Sequence, residues 1–239
     1  MSQLLSTGAA QLGLSLTPDQ LTLFDQYQRE LLVGNEKINL TRIVDPDEIS
    51  IKHFLDSLSL VVALPDPTTD LNVIDVGAGA GFPGIPLKIA LPNLRLTLLE
   101  TTGKKADFLR HVVDVLSLPN VRVVNARAEE AGRQPEHRQR YDVAVARAVS
   151  ALPVLLEYTL PLVKVGGWVI AAKGQPPDAE VQESSVALKI LGGRLDRVVP
   201  VTVPGLEAAR HLVIIKKIRP TPKKYPRRPG LPAKKPLSA

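Results

Sequence analysis

Three glycines at alternate positions, Gly77, Gly79 and Gly81, follow an apolar run that contains Asp75, and a helix-forming stretch comes after them. Without Cβ atoms such a turn can bend sharply and bring backbone N–H groups against a ligand. The spacing is GxGxG; the dinucleotide fingerprint GxGxxG would put glycine at 82, where the chain has Phe82. That difference favours an adenosylmethionine site over a nicotinamide site. Asp75 can hydrogen-bond the amino group of such a cofactor, or cap the turn. Glu100 comes 23 residues after Gly77, at the end of the next apolar run, where a carboxylate can accept both hydroxyls of an adenosine ribose. Thr101 and Thr102 follow it, one of them as a helix cap. Ala128 and Glu129 fall where an adenine ring would lie, and Glu129 reads equally well as a solvated acid at a helix start.

Arg147 ends the run YDVAVAR, at the carboxyl edge of a strand, where packing explains a cation poorly and a carboxylate, phosphate or base explains it well. Lys173 ends the next strand run in the same way. In KHFLDSL, His53, Asp56 and Ser57 lie within about one helical turn, so this face either meets the substrate or simply packs on the sheet. The four histidines have no metal-ligand spacing, so no metal is expected.

The chain has no cysteine, which removes disulfides, thiolate-bound zinc and a cysteine nucleophile. Methylation at carbon five of a pyrimidine, which typically uses that nucleophile, is thereby excluded. Exocyclic base amines are commonly aligned by an Asn/Asp-Pro-Pro-aromatic turn after the fourth strand; the chain reads ARAVSALP there. Guanine N7 carries an in-plane lone pair and needs alignment rather than deprotonation, so it suits a site without a general base.

The elements that must position these residues can be read from periodicity. Leu21, Leu23, Phe24, Tyr27, Leu31 and Leu32 mark a helix from Pro18 to Val33, with Thr17 as cap and Gly34 as stop. A second helix is expected from Asp45 to Leu64, with Glu48 at capping-box spacing, and then a loop at PDPTTD. From residue 71, LNVIDV, LRLTLLE, VRVVNA, YDVAVAR and GWVIAAKG alternate with helical stretches, which implies a parallel, doubly wound α/β sheet. A helix from Asp178 to Leu191 precedes RLDRVVPVTV and RHLVIIKKI, which have no helix between them and should pair antiparallel. Five parallel strands ending in an antiparallel hairpin define a Rossmann-like methyltransferase architecture. The expected organisation is one methyltransferase domain: a helical segment at 1–68, an α/β core at 69–218 and a proline-rich basic tail at 219–239.

Nine of the 30 Lys and Arg residues lie from Lys216 onward, with no acid among them; the rest of the chain carries a net charge of −3. Such an end suits a polyanion such as RNA, or is a solubilising disordered tail. The start of the chain lacks a secretory pattern and no apolar run approaches a membrane span, so a cytoplasmic protein is expected.

Taken together, NLTRI (39–43), KHFLDSL (52–58), VIDVGAGAGFPGIPLKI (73–89), LLETTGKKADFL (98–109), ARAEE (126–130), ARAVSAL (146–152) and KYPRRPGLPAKKPL (224–237) closely resemble the bacterial small-subunit ribosomal RNA guanine-N7 methyltransferases, also called RsmG or glucose-inhibited division protein B. The segments span most of the chain in family order. The resemblance implies a monomeric cytoplasmic enzyme that uses S-adenosylmethionine to methylate N7 of one guanine in the decoding-region loop of 16S ribosomal RNA. By motif position it puts Gly77 and Phe82 in the cofactor loop, Glu100, Thr101 and Thr102 on the ribose side, Ala128 and Glu129 on the adenine side, and Arg147 at the far edge. Arg42, Lys173, Lys223, Lys224, Arg227 and Arg228 are then candidates for RNA phosphates, and Tyr225 or Phe82 for stacking on a base. Three rivals stay open: a nicotinamide oxidoreductase, a noncatalytic RNA-binding or ribosome-assembly protein on this fold, and a small-molecule methyltransferase, which would leave the basic tail without a purpose.

Overall fold

The structure, a computed structural model, describes residues 2–66 and 69–238. Pro67 and Thr68, inside the loop expected at PDPTTD and at the expected boundary after residue 68, lie outside the described residues. Strands β1 (Asn72–Val76), β2 (Arg95–Glu100), β3 (Val121–Asn125), β4 (Tyr141–Arg147), β5 (Val163–Lys173), β6 (Gly193–Val201) and β7 (Arg210–Lys217) form one sheet in the order β3-β2-β1-β4-β5-β7-β6. The first five run parallel, and β7 is antiparallel to both β5 and β6. Strand order reverses between β1 and β4, which opens a crevice at their carboxyl ends. Both faces of the sheet are buried: Val73, Val143 and Ile170 pack with Phe24, Tyr27 and Phe54, while Ile74, Ala144 and Val169 pack with Leu152, Leu155 and Leu156. Each such aliphatic side chain contributes roughly 1.5–3 kcal/mol on burial.

The helix Pro18–Ile38 opens with a complete capping box: Thr17 Oγ1 accepts from Gln20 N, and the Gln20 side chain accepts from Thr17 N. The expected stop at Gly34 does not occur; the helix runs on to Ile38 and closes at Asn39 in the left-handed region. A Cβ at Gly34 would lie 2.6 Å from the Phe108 ring, so this glycine lets the helix approach Gly103–Val115 closely. The helix expected over 45–64 is a continuous path of four pieces, α over Pro46–Ile49, π over Ser50–Leu55, α over Asp56–Leu58 and 3-10 over Ser59–Ala63. Asp45 caps it, but Glu48 does not complete the box and pairs with Lys52 instead. Phe54 anchors the path between Phe24 and Tyr27, with ring centroids 5.1 and 5.5 Å away. The helix expected over Asp178–Leu191 breaks at Ser184 into Asp178–Glu183 and Ser185–Leu191.

The C-terminal segment is fixed to the body rather than left as a disordered end. Lys216 and Lys217, counted above with the tail, belong to β7: Lys216 lies over the Trp168 ring, and the buried Lys217 ammonium donates to the carbonyls of Leu160 and Leu191. Arg138 donates to the carbonyls of Thr221 and Tyr225, and Arg133 to that of Pro226. Arg227 forks onto Glu157, a fully buried carboxylate on the helix Leu152–Thr159, at 2.6–3.0 Å. Beyond it, Gly230 N–H donates to Glu129 Oε1 at 2.8 Å, just before the short helix Leu231–Lys234.

Candidate active site

Gly77, Gly79 and Gly81 all have positive φ (76°, 60° and 107°), which lets the chain fold back at the end of β1. Two carboxylates hold this loop from beneath. Glu100 Oε2 accepts from Gly79 N at 2.9 Å and Oε1 from Thr102 N at 2.7 Å, while Asp75 Oδ2 accepts from Gly84 N at 2.7 Å. Tyr27 adds a third brace, its hydroxyl donating to Ala80 O at 2.6 Å. Thr102 occupies the cap position of Gly103–Val115 without a side-chain capping bond.

Asp75 is wholly buried, and its second oxygen, Oδ1, has no hydrogen-bond partner among the described residues. Burial pushes its carboxyl from 3.8 up to about 7. The native state therefore holds that proton more tightly than the unfolded chain, so stability falls as pH rises from about 4 to 7, and the loss is complete above 7. Asp75→Asn keeps an acceptor for Gly84 and removes the ionisation. It is expected to stabilise the fold by roughly 2 kcal/mol at pH 8, after allowing for an imperfectly paired amide. The gain should shrink as pH falls from about 7 towards 4; a melting-temperature difference that is the same at pH 5 and pH 8 would refute this account.

Beside the loop lies a cavity of about 190 Å³ lined by Gly77, Thr101, Ala128, Glu129 and Val149, with Gly230 and Ala233 of the C-terminal segment. Glu129 is not the solvated acid that one reading of the sequence allowed; it is buried, with its carboxylate toward Gly230. A second cavity, about 400 Å³, is lined by Lys52, His53, Asp56, Arg147, Lys173 and Arg210 among others, and Val149 borders both. The first lies at the carboxyl ends of β1 and β2, the second at those of β4 and β5.

Arg147 organises the second cavity. It donates to Asp56 Oδ2 at 2.6 Å and to Lys52 O at 3.1 Å, sits 3.3 Å from His53 Nδ1, and lies over the Phe82 ring at 5.0 Å. A guanidinium only donates, so His53 Nδ1 must accept, and the ring proton sits on Nε2, facing Thr41 Oγ1 at 2.7 Å. Burial, with the Arg147 charge added, lowers His53 to about 4, so the ring is neutral at neutral pH as it stacks on Phe82. Asp56 bridges two cations, since its Oδ1 accepts from Arg210 Nε at 2.7 Å. Lys173 is held by Ser150 O and Glu180.

The helix path and the sheet thus bring together His53, Asp56, Phe82, Arg147 and Lys173. Ser57 is not among them: it is buried, and its hydroxyl donates to His53 O at 2.6 Å, because the π turn points it into the protein. Tyr225 and Arg227 are turned inward too, Tyr225 buried and Arg227 committed to Glu157. Arg42, Lys223, Lys224 and Arg228 are exposed. Sequence reasoning missed Lys52 and Arg210. Lys52 could have been found as the neighbour of His53, whereas Arg210 reaches the site only because β7 pairs antiparallel with β5, setting His211 opposite Lys173. Among the described residues no group of His, Asp and Glu could hold a metal, and no helix is long and apolar enough to cross a membrane.

Five parallel strands closed by an antiparallel pair, a glycine loop after β1 and an acid ending β2 define a class I S-adenosylmethionine-dependent methyltransferase. Solved structures share the fold: a SAM-dependent methyltransferase from Aquifex aeolicus at TM-score 0.52 and 20% identity, covering 72% of this chain and 93% of that one, and MtNAS in complex with MTA and tNA at TM-score 0.56 and 16% identity, covering 83% and 74%. The chain belongs to the GidB family, rRNA small subunit methyltransferase G, whose model matches residues 20–213. Ribosomal RNA small subunit methyltransferase G of Acetivibrio thermocellus is 47% identical over 238 residues, covering 100% of this chain and 97% of the relative. That of Roseiflexus castenholzii is 50% identical over 225 residues, covering 94% and 95%.

The residues present fit the cofactor. The orphaned Asp75 Oδ1 offers an acceptor, a Cβ at Gly79 would meet only Gly77 O at 3.9 Å, which leaves the loop open there, and each Glu100 oxygen keeps a lone pair after bonding the backbone. Gly77, Gly79, Asp75 and Glu100 would hold the amino acid and ribose portions, and Ala128 with Thr101 the adenine. Glu100→Ala is expected to weaken S-adenosylmethionine binding by about 1–3 kcal/mol, through lost ribose contacts and a slackened loop. Calorimetry that finds the affinity unchanged would overturn the assignment of Glu100.

Proposed function

We propose that this enzyme methylates N7 of one guanine in the decoding-region loop of 16S ribosomal RNA, acting as a cytoplasmic monomer on the small ribosomal subunit. The observation that carries the reading is the chemistry of the larger cavity. Four cations, Lys52, Arg147, Lys173 and Arg210, line it; the carboxylate in the lining, Asp56, is engaged by the two arginines, while Lys52 and Lys173 pair with Glu48 and Glu180 outside it. This suits a phosphate-bearing acceptor and leaves no free general base, as an N7 acceptor permits.

When bound, S-adenosylmethionine supplies an electrophilic methyl group to the N7 lone pair, the electrons of the broken C–S bond staying with sulfur. The chain's own part is alignment. His53 lines the cavity and is backed by the buried Phe82, ring centroids 4.5 Å apart, so the imidazole offers a plane against which a base can lie, and Arg147 touches both rings. His53 adds no charge of its own, so the charge that develops on the purine meets a neutral ring. Exposed cations at Arg42, Lys223, Lys224 and Arg228 would take flanking phosphates.

The test is transfer of labelled methyl from S-adenosylmethionine to small subunits lacking the modification, with the labelled nucleoside identified after digestion. Label in 7-methylguanosine is expected. Label in another nucleoside would move the acceptor atom, and absence of label despite cofactor binding would favour the RNA-binding or assembly reading.

A further inference from the structure

The cavity at the adenine end has an unexpected border. Its inner side is the sheet edge and the start of the helix Ala128–Ala131, but its outer side is Gly230 and Ala233, about a hundred residues further along the chain. Three attachments hold that border in place. Gly230 N–H donates to Glu129 Oε1 at 2.8 Å, Arg227 forks onto the buried Glu157, and Pro226 packs on Gly132, where a Cβ would come within 3.0 Å of Pro226 Cγ. Gly230 has φ 78°, and a Cβ there would meet nothing within 4 Å, so the residue serves the backbone turn that delivers Ala233 to the cavity and not a shortage of space.

We propose that residues 226–234 are the outer wall of the adenosine pocket, and that through this wall cofactor and RNA strengthen each other's binding; the inference rests on the cofactor and RNA reading above. The wall carries its own cations on the solvent side: Lys234 and Lys235 are exposed within a residue or two of Ala233, and Arg228 is exposed just before Gly230. Phosphates that engage these cations hold the segment down on Glu129. A cofactor that fills the cavity holds it down from the other side. Each ligand then presses the same wall onto Glu129 from its own side, and linkage requires the enhancement to be equal in both directions.

Hydrogen exchange of the full-length protein, with and without S-adenosylhomocysteine, tests the wall. Slowed exchange is expected in peptides covering 226–237 as well as in the glycine loop at 76–82. Protection of the loop alone would overturn the wall, and protection of neither would remove the cofactor reading and this inference with it. A second variant guards against ambiguity: Ala233→Trp, at an exposed position, should leave the melting temperature unchanged while weakening cofactor affinity at least tenfold, and unchanged affinity would contradict the proposal. For the coupling, the affinity for small-subunit RNA at fixed salt should rise several-fold with saturating S-adenosylhomocysteine. The rise should disappear when Lys234 and Lys235 are changed to Glu, which leaves the wall's attachments at Gly230, Arg227 and Pro226 in place. An RNA affinity indifferent to the cofactor would refute the coupling.

Discussion

Arg147→Ala is expected to lower methyl transfer at least 100-fold while the protein stays folded. The guanidinium holds Asp56, the Lys52 carbonyl, His53 Nδ1 and the Phe82 ring in one arrangement. Its loss frees His53, the ring proposed to align the base, and the Phe82 ring behind it, and misplacement of reacting groups by about 1 Å costs about a hundredfold in rate. Removing one partner of a buried ion pair ordinarily destabilises a protein by about 3–5 kcal/mol, but Asp56 keeps Arg210, so a loss of about 1–2 kcal/mol is expected here. Arg147→Lys should recover little activity, because a point charge cannot serve three hydrogen-bond acceptors and the Phe82 ring at once. His53 provides an independent readout: with the neighbouring charge gone, its pKa should rise from about 4, which proton NMR can follow. If activity merely tracks the folded fraction in both variants, Arg147 is a structural residue.

The largest loss of stability is expected from Arg227→Ala, about 3 kcal/mol or more by urea denaturation. Glu157 is fully buried, and apart from the Arg227 side chain its recorded hydrogen-bond partner is the Arg227 backbone N–H. The variant strands a carboxylate in the interior beside one neutral donor. Adding Glu157→Gln should restore most of the loss, since an uncharged amide is much cheaper to bury. A single variant as stable as the parent would mean that the fork is replaceable by water. Because Arg227 anchors the pocket wall, the same variant should bind cofactor more weakly at temperatures where it remains folded.

What could be read from the sequence follows from how local each signal is. β1, the glycine loop and Glu100 were legible because an apolar run, a conformationally special turn and an acid ending the next strand all lie within 30 residues of one another. The antiparallel pair was legible because no helix separates its two runs. Gly34 was misread because the sequence shows a helix breaker, whereas only the packed structure shows Phe108 against it. Arg210 was invisible because strand pairing, not sequence proximity, carries it to Asp56. The tail was read for its positive charge alone, and the structure gives Tyr225, Arg227 and Lys217 a different use: an interior acid, arginine-clamped carbonyls and an apolar seat hold them inside the body.

The π turn at Ser50–Leu55 bears on how this region tolerates change. A single π turn is an α-helix that has accepted one extra residue, taken up by a locally wider turn while the helix on either side keeps its phase. Phe54 and Leu55 sit in the core while His53 and Asp56 face the larger cavity, an assignment that depends on that wider turn. Deleting any one residue between 50 and 55 would let the segment relax to α geometry, the helix on either side keeping its phase while the turn presents one side chain fewer and re-aims those that remain. The helix would survive, and His53 and Asp56 could no longer both reach Arg147. In this stretch the length of the chain is as much a part of the site as the identity of its side chains, and a one-residue gap should be more damaging than most substitutions.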